Sequence, residues 1–291
     1  MGMDHTARYL LRITCPGRTG LVAAITGFLA DHRCFITEFS QFDDIQTGRF
    51  FCRAEFFKPD SGMSPDALSD QFADIGQQFE MQWRFIDPMV PHRTLILVSK
   101  FDHCLNDLLY RNGTGELNLD VTTVASNHPD LEPLANFHKI PFEVLPSAGS
   151  KLATKAVQEE RIRELIETQN ADLIVLARYM QILSDELCAE LAGRCINIHH
   201  SFLPSFKGAR PYHQAYERGV KAIGATAHYV TADLDEGPII DQEVSRVDHT
   251  FGPEQLMATG RNMENYALSR AVKAHSEHRV FLNGHKTVIL K

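Results

Sequence analysis

The chain has 291 residues, of which 44% are hydrophobic, and this suits one large or two smaller globular domains. With 29 basic and 37 acidic residues its formal net charge is -8, so we expect no nucleic-acid partner. No apolar run reaches the length of a membrane span, and we expect no membrane partner either. The six cysteines lack Cys-x-x-Cys spacing and mostly lie in apolar runs, which predicts reduced thiols in a cytoplasmic protein.

The first part of the chain, residues 8–87, carries the pattern βαββαβ. Apolar residues at helical spacing predict a helix over residues 19–32. Ser64 followed by Pro65 is a typical start of a second helix, which we expect to end near Phe79. Alternating apolar and polar residues predict the strands, at 8–14, 34–42, 49–57 and 81–86.

This βαββαβ pattern resembles the ACT domain, a small regulatory module with a ferredoxin-like fold that often pairs through its sheets and binds an amino acid between the paired copies. The turn before the first helix reads CPGRTGL and is similar to the ACT ligand loop, with Pro16, Gly17 and Gly20 as matching residues. Backbone N–H groups at a helix start can hold a carboxylate there. The resemblance implies an effector such as methionine or glycine and a homo-oligomer, but a purely assembling role is equally open.

Two prolines in residues 88–93 indicate a linker between an N-terminal domain, residues 1–87, and a second domain, residues 94–291. In the second domain strands alternate with helices, which predicts a mostly parallel sheet with right-handed crossovers. Helices are predicted around 106–111, over 153–169, after Ser184 and over 253–275. The predicted strands lie at 94–99, 119–125, 142–145, 173–177, 195–199, 225–230 and 239–246, with a terminal hairpin at 280–283 and 287–290.

We expect the chemistry of this chain in the stretch from Cys195 to Asp241. On a strand, side chains alternate faces, so Asn197 and His199 point the same way while the neighbouring isoleucines can face the core. Ligands bind at the carboxyl ends of the strands in open α/β sheets. Downstream, the turn DLDEGP at 233–238 can present a carboxylate to the same cleft. An amide, an imidazole and a carboxylate are enough to transfer an acyl group.

This stretch resembles the catalytic core of the formyltetrahydrofolate transformylase and hydrolase superfamily, which carries Asn-x-His, a turn ending in Leu-Pro, and then Leu-Asp-x-Gly-Pro. Here the three parts are NIH at 197–199, SFLP at 201–204 and LDEGP at 234–238. The resemblance implies a Rossmann-like formyltransferase domain with Asn197, His199 and Asp235 as catalytic residues. Asn197 would donate to the developing oxyanion, whereas His199 and Asp235 could exchange the proton-transferring and orienting roles.

A second segment, at 178–183, is similar to the part of that superfamily that lines the pterin pocket. Its apolar side chains can sandwich a heterocycle while free backbone groups read the heterocycle's edge. By itself the hexapeptide also fits a core loop. The resemblance implies a folate-binding set that also includes a glycine of the acidic turn: Arg178, Met180, Gln181, Ile182, Leu183 and Gly237.

The first strand-to-helix turn of the second domain, KFDHC at 100–104, contains no glycine. A glycine-rich turn would let backbone N–H groups approach a phosphate, as in the superfamily's glycinamide ribonucleotide transformylase at this place. The lack of one favours a small second substrate such as water. The resemblance therefore implies hydrolysis of 10-formyltetrahydrofolate to tetrahydrofolate and formate, which would supply formate for purine synthesis and balance folate pools.

Folate carries the formyl group itself, so we expect no cofactor besides this substrate. We expect no metal either, because His199 and His200 are adjacent and on a strand would face opposite sides, and no HExxH or matched His/Cys cluster occurs. His200 and His228 are expected close behind the catalytic residues. Two other functions stay open, namely formyl transfer to an amine and a non-catalytic folate or amino-acid sensor.

Overall fold

The structure is a computed structural model that describes residues 7–58, 63–146, 155–203 and 211–291. The chain forms two compact units, one made of Met1–Val90 together with Glu277–Lys291 and the other of Pro91–Ser276. The sequence analysis placed all of residues 94–291 in the second domain, whereas the structure groups the C-terminal segment Glu277–Lys291 with the first unit.

The first unit holds a four-stranded antiparallel sheet and two helices. Its elements are β1 (Ala7–Pro16), α1 (Leu21–Asp31), β2 (Phe35–Asp44), β3 (Arg49–Lys58), α2 (Pro65–Gln78) and β4 (Gln82–Ile86). The strands lie in the order β2-β3-β1-β4, so β1 and β3, the two strands that precede the helices, are neighbours at the centre of the sheet. The predicted βαββαβ, ferredoxin-like fold is confirmed.

Local sequence signals account for the helices of this unit. Ser64 caps α2, since its Oγ accepts a hydrogen bond from the Ala67 N–H at 3.2 Å and Pro65 occupies the first helical position. The helical spacing of apolar residues on α1 turns Ile25 and Phe28 into the core, where Phe28 meets Phe72 of α2 edge to face at 5.0 Å.

The second unit alternates strands and helices around one seven-stranded sheet. Its elements are β5 (His92–Val98), α3 (His103–Gly113), β6 (Leu119–Ser126), α4 (Glu132–Phe137), β7 (Phe142–Val144), α5 (Lys155–Thr168), β8 (Leu173–Leu176), α6 (Asp185–Glu190), β9 (Cys195–His199), α7 (Pro211–Glu217), β10 (Ala222–Tyr229), β11 (Ile239–Arg246) and α8 (Pro253–Ser276). Apolar runs such as Leu173–Leu176 are buried along their whole length, as strands covered by helices on both faces must be.

The strand order explains where a ligand can bind. The order is β11-β10-β9-β8-β5-β6-β7, with β5 to β9 parallel and β10 and β11 antiparallel to their neighbours. From β5 the chain moves to β6 on one side and later returns to β8 on the other, which makes a switch point at the carboxyl ends of β5 and β8. Open α/β sheets bind ligands in the crevice at such a point. The expected Rossmann-like, mostly parallel sheet is confirmed.

The C-terminal hairpin packs on the first unit. Its strands β12 (Val280–Asn283) and β13 (Lys286–Ile289) pair around Gly284, whose φ is 63°. The Phe281 ring lies 5.7 Å from that of Phe51 on β3, and the Arg12 guanidinium lies 4.1 Å from the Phe281 ring centroid. These aromatic and cation–π contacts hold the hairpin to the sheet of the first unit, which is why it does not belong with the rest of residues 94–291.

The sequence analysis did not predict helices α4 and α7, because their six and seven residues are too few to display helical periodicity. The predicted helix over 153–169 corresponds to α5, and its first two residues lie outside the described ranges. The proline of the SFLP motif, at position 204, also lies outside them. None of the helices in the described ranges combines the length and the apolar character that a membrane crossing requires.

Candidate active site

Asn197, His199 and Asp235 meet at the end of β9. The two strand residues point to the same side, and Asp235 reaches them from the turn between β10 and β11. The Nδ1 atom of His199 lies 3.1 Å from Oδ1 of Asp235. Asp235 has a φ of 59°, in the left-handed region that Asp and Asn tolerate better than most residues. The predicted trio is therefore together in space.

Gly237 lets the acidic turn lie directly on β10. A Cβ at this position would come within 1.8 Å of the Tyr229 carbonyl oxygen and 3.1 Å of His228 Nδ1. The turn is also tied to the strand by the Tyr229 N–H, which donates to the Pro238 carbonyl at 2.9 Å. Close backbone approach, rather than contact with the cavity, explains the glycine, since Gly237 is not among the described residues that line the cavity.

His228 orients the amide of Asn197. The two residues are register partners on β10 and β9, and His228 Nε2 lies 3.3 Å from Asn197 Nδ2. The His228 Nδ1 atom lies 2.9 Å from the Tyr229 carbonyl, which can only accept, so Nδ1 carries the hydrogen and Nε2 accepts from Asn197. Burial lowers the pKa of His228 and keeps the ring neutral, as this arrangement requires. No described residue accepts from the second N–H of the Asn197 amide, which leaves this N–H for a ligand.

The Asp235 carboxylate is held in its charged form. Burial by itself would raise its pKa, but the hydrogen bond from His199 and the nearby imidazoles of His199, His228 and His200 lower it below the usual 3.8. With Nδ1 of His199 directed at Asp235, the other ring nitrogen, Nε2, is buried and has no hydrogen-bond partner among the described residues. Among the described residues, the site thus leaves one imidazole nitrogen without a partner.

The expectation that His199 and His200 face opposite sides is wrong. The strand ends at His199, so strand alternation does not extend to His200, and both rings line the same cavity with centroids 5.0 Å apart. Burial, followed by the charges of Arg178 and His199, lowers the pKa of His200 to about 4. His200 is therefore a neutral wall of the cavity near pH 7.

The trio opens into a cavity of about 680 Å³ at the carboxyl ends of β5, β8 and β9. This volume is typical of a small-molecule site. The side chains of Met180 and Ile182 are 54% and 62% exposed, which leaves apolar surface free to cover a flat ligand. The predicted segment contributes to the lining as a whole, through Arg178, Met180, Gln181, Ile182 and Leu183.

The lining segment is fixed by hydrogen bonds at both ends, one beside strand β5 and the other on helix α5. The Met180 N–H donates to Ser99 Oγ at 3.0 Å, and Ser99 in turn donates to Asn127 Oδ1 at 2.7 Å. At the other end the Ser184 N–H donates to Glu159 Oε1 at 2.7 Å, and Ser184 caps α6. These bonds hold residues 180–184 in place along the cavity.

The far end of the cavity holds a polar cluster that the sequence did not predict. Glu264 of α8 is 1% exposed, and its carboxylate accepts from Tyr212 OH at 2.8 Å and lies 2.7 Å from His103 Nε2 and 3.3 Å from Arg178 Nε. Helical spacing places Glu264 on the buried face of α8, together with Gly260 and Ala267. The presence of an acidic residue on an otherwise apolar helix face is the sequence signal that could have indicated this cluster.

This cluster includes atoms that could bind a metal. Ligand atoms of His103, Cys104 and Glu264 lie within 4.8 Å of one another. However, burial raises the pKa of the Cys104 thiol well above its usual value, and the Arg178 cation already faces the carboxylate. An ion network of side chains accounts for these contacts without a further charge.

The turn between β1 and α1 has the conformation of a tight loop. Gly20 adopts a φ of 96° ahead of α1, which has no side-chain cap. The Gly17 N–H donates to the Gly48 carbonyl at 2.8 Å, and a Cβ at Gly17 would lie 2.6 Å from Asp43 Oδ1. Pro16 ends β1. The three predicted loop residues therefore belong to one turn, and Gly17 lies beside the Asp43 carboxylate.

The chain is similar in sequence and in fold to several known proteins. The formyl transferase family profile matches residues 92–272. A formyltetrahydrofolate deformylase of Corynebacterium sp. (strain P-1) is 50% identical over 99% of this chain and 100% of its own length. The crystal structure of formyltetrahydrofolate deformylase from Burkholderia mallei superposes with a TM-score of 0.91, at 52% identity over 98% of this chain and 100% of that one. Glycinamide ribonucleotide transformylase 1 from Symbiobacterium toebii, at 28% identity and a TM-score of 0.65, covers 71% of this chain and 97% of its own.

Proposed function

The chain belongs to the formyl transferase family and, within it, to the formyltetrahydrofolate deformylases, and on this premise we propose that it hydrolyses 10-formyltetrahydrofolate to tetrahydrofolate and formate. The observation that carries the proposal is the convergence of Asn197, the His199–Asp235 pair and an apolar wall on one cavity. Relatives with this name match the chain along almost its whole length, including the part before residue 92.

Water is the nucleophile in this reaction. Its oxygen adds to the formyl carbon bound to N10 of the folate, and the carbonyl oxygen becomes a tetrahedral oxyanion. Asn197 donates its available amide N–H to that oxygen, because His228 holds the rest of the amide in place. Collapse of the intermediate breaks the bond between carbon and N10, and the products are formate and tetrahydrofolate.

We assign the proton transfers to Nε2 of His199. Asp235 engages Nδ1, so Nε2, which has no hydrogen-bond partner among the described residues, is the ring nitrogen left to take a proton from water and return it to N10. Asp235 orients the imidazole and stabilises the positive charge that forms on it, as its low pKa allows. In this assignment Asp235 is the orienting group and His199 the acid and base.

The folate ring is proposed to lie on the wall formed by Met180, Ile182 and Leu183, with Gln181 and Arg178 beside it. Exposed apolar side chains next to a catalytic trio suit a flat heterocycle. The substrate brings the formyl group, and water completes the reaction, so the proposed chemistry uses no cofactor.

The direct test is formate release from 10-formyltetrahydrofolate by the purified protein without any amine. We expect formate and tetrahydrofolate in equal amounts. Formate that appears only when an amine is added, or a formylated amine in its place, would favour a transferase. Binding of folate without turnover would favour a sensor.

For residues 1–87 we propose an amino-acid effector site and a contribution to a homo-oligomer. The loop of Pro16, Gly17 and Gly20 offers the start of α1 to a carboxylate, and the adjacent Asp43 suits an ammonium group. Methionine and glycine at millimolar concentration should change the rate of formate release if the effector site exists. Light scattering after size exclusion measures the oligomer. A cytoplasmic location completes the proposal, supported by six free cysteines.

A further inference from the structure

The residue at the start of the folate wall has a backbone conformation that needs support. Arg178 adopts a φ of 65°, although it is not a glycine. A left-handed conformation costs free energy in a residue with a Cβ, and it persists only where the surroundings hold it. Arg178 lies two residues after the end of β8, so its bend sets the direction in which residues 179–183 leave the sheet.

The side chain of Arg178 is held from two sides. Its Nε lies 3.3 Å from Glu264 Oε2, and its guanidinium lies 5.1 Å from the centroid of the Phe101 ring. The residue is only 8% exposed, so the arginine charge depends on Glu264 for compensation. The cation is therefore part of a buried network and not a free group at the mouth of the cavity.

Glu264 is itself fixed by neighbours from two other elements. His103 at the start of α3 lies 2.7 Å away, and Tyr212 of α7 donates its hydroxyl at 2.8 Å. Gly260, one turn earlier on α8, makes room for the Tyr212 ring, since a Cβ there would lie 2.1 Å from the Tyr212 oxygen. Burial alone would raise the pKa of Glu264, but the hydrogen bond from His103 and the charge of Arg178 lower it, so the carboxylate is ionised.

We propose that Glu264, with His103 and Tyr212, acts as a clamp on Arg178 and is a positioning residue for folate binding. The clamp holds the left-handed bend at Arg178, and the bend sets the wall that covers the folate ring. Asn197, His199 and Asp235 lie on β9 and on the acidic turn, outside this bend. Loss of the clamp should therefore weaken binding more than it slows the chemical step. The inference rests on the proposed function, because it assigns a role in the same site.

The test compares binding and turnover in matched variants. We expect Glu264→Gln to raise both KM and the dissociation constant of tetrahydrofolate about tenfold, with kcat within about threefold of wild type. Glu254→Gln, an exposed acid in the first turn of the same helix, serves as the control. A fall in kcat at unchanged KM would overturn the proposal, because Glu264 would then act on the chemistry.

A second pair of variants separates the bend from the charge. Both variants lose the clamped side chain, but Arg178→Ala keeps a Cβ, for which the left-handed φ is costly, whereas Arg178→Gly adopts that φ freely. We expect tetrahydrofolate to bind more tightly to Arg178→Gly than to Arg178→Ala. When Glu264→Gln is combined with Arg178→Gly, we expect little further loss of tetrahydrofolate affinity. Equal losses in the two variants would overturn the clamp, and this comparison stands even if Glu264→Gln does not fold.

Measurements on the wild-type protein distinguish failure of the hydrolase proposal from failure of the clamp proposal. If it binds tetrahydrofolate but releases no formate, the hydrolase assignment fails while the affinity comparison still decides the clamp. If it neither binds tetrahydrofolate nor releases formate, both are overturned.

Discussion

Replacement of Asp235 by asparagine removes one charge from the site and little else. Asparagine has nearly the same shape and tolerates the φ of 59° at this position. Its amide, however, can donate to His199 Nδ1, which would leave the hydrogen on Nε2 and spoil that nitrogen as a proton acceptor. It also withdraws the carboxylate that stabilises the imidazolium during the reaction.

The magnitude follows from the 3.1 Å separation of Asp235 Oδ1 and His199 Nδ1. Two unit charges at that distance attract by about 5 kcal/mol at an effective dielectric constant of about 20. Breaking a buried pair typically costs about 3–5 kcal/mol, and the 18% exposure of the Asp235 side chain favours the lower value. A barrier higher by about 3 kcal/mol lowers kcat about 100- to 1,000-fold.

The assay is formate release under saturating 10-formyltetrahydrofolate, with thermal unfolding to establish that the variant is folded. Asp233→Asn is the matched control, because it makes the same change at an exposed position of the same turn, and it should keep wild-type kcat. A folded Asp235→Asn protein with kcat within about threefold of wild type would refute the reasoning about the His199–Asp235 pair.

Three further predictions test other parts of the site. Because burial depresses the folded pKa of His200 to about 4, the unfolded chain binds its proton first as pH falls. The contribution of His200 to the free energy of unfolding is therefore fully present above about pH 6.5, and up to about 3 kcal/mol of it is lost as the pH falls to about 4. Between about pH 7 and pH 4.5, the free energy of unfolding measured in urea should fall less in His200→Asn than in the wild-type protein. Equal falls in the two proteins would contradict this prediction. Gly237→Ala should lower both Tm and kcat, because a Cβ at 1.8 Å from the Tyr229 carbonyl displaces the acidic turn, whereas Gly252→Ala, with its nearest neighbour at 3.9 Å, should be tolerated. Equal melting temperatures for the two glycine variants would argue against the close approach. Ile182→Ala should raise KM about 5- to 30-fold at nearly constant kcat, because the ligand buries a side chain that is 62% exposed without it; unchanged KM would mean that the folate ring lies elsewhere.

Residues close in sequence were predictable because local rules act on them. Asn197 and His199 are two positions apart on a strand, so period two alone places them on one side. The helix caps at Ser64 and Ser184 follow from the same local chemistry. His200 shows where the rule stops, since the strand ends one residue before it and the chain turns its ring into the cavity.

Residues distant in sequence needed the folded chain. His103, Tyr212 and Glu264 come from three elements separated by more than 50 residues at each step, and no pattern relates them. The C-terminal hairpin likewise reads as a continuation of the second domain. Its tertiary contacts, such as the packing of Phe281 against Phe51 and Arg12, show that it belongs to the first unit.

The sequence by itself predicted the two kinds of fold, because alternation and helical spacing are properties of neighbouring residues, and its motifs led to the proposed catalytic trio and the proposed folate-binding segment. The tertiary structure alone decided the orientation of Asn197 by His228, the direction of His199 Nε2 and the clamp on Arg178. Each of these depends on atoms that approach within hydrogen-bonding or ion-pair distance only after β9, β10 and α8 have packed together. Such contacts leave no periodic trace in the chain.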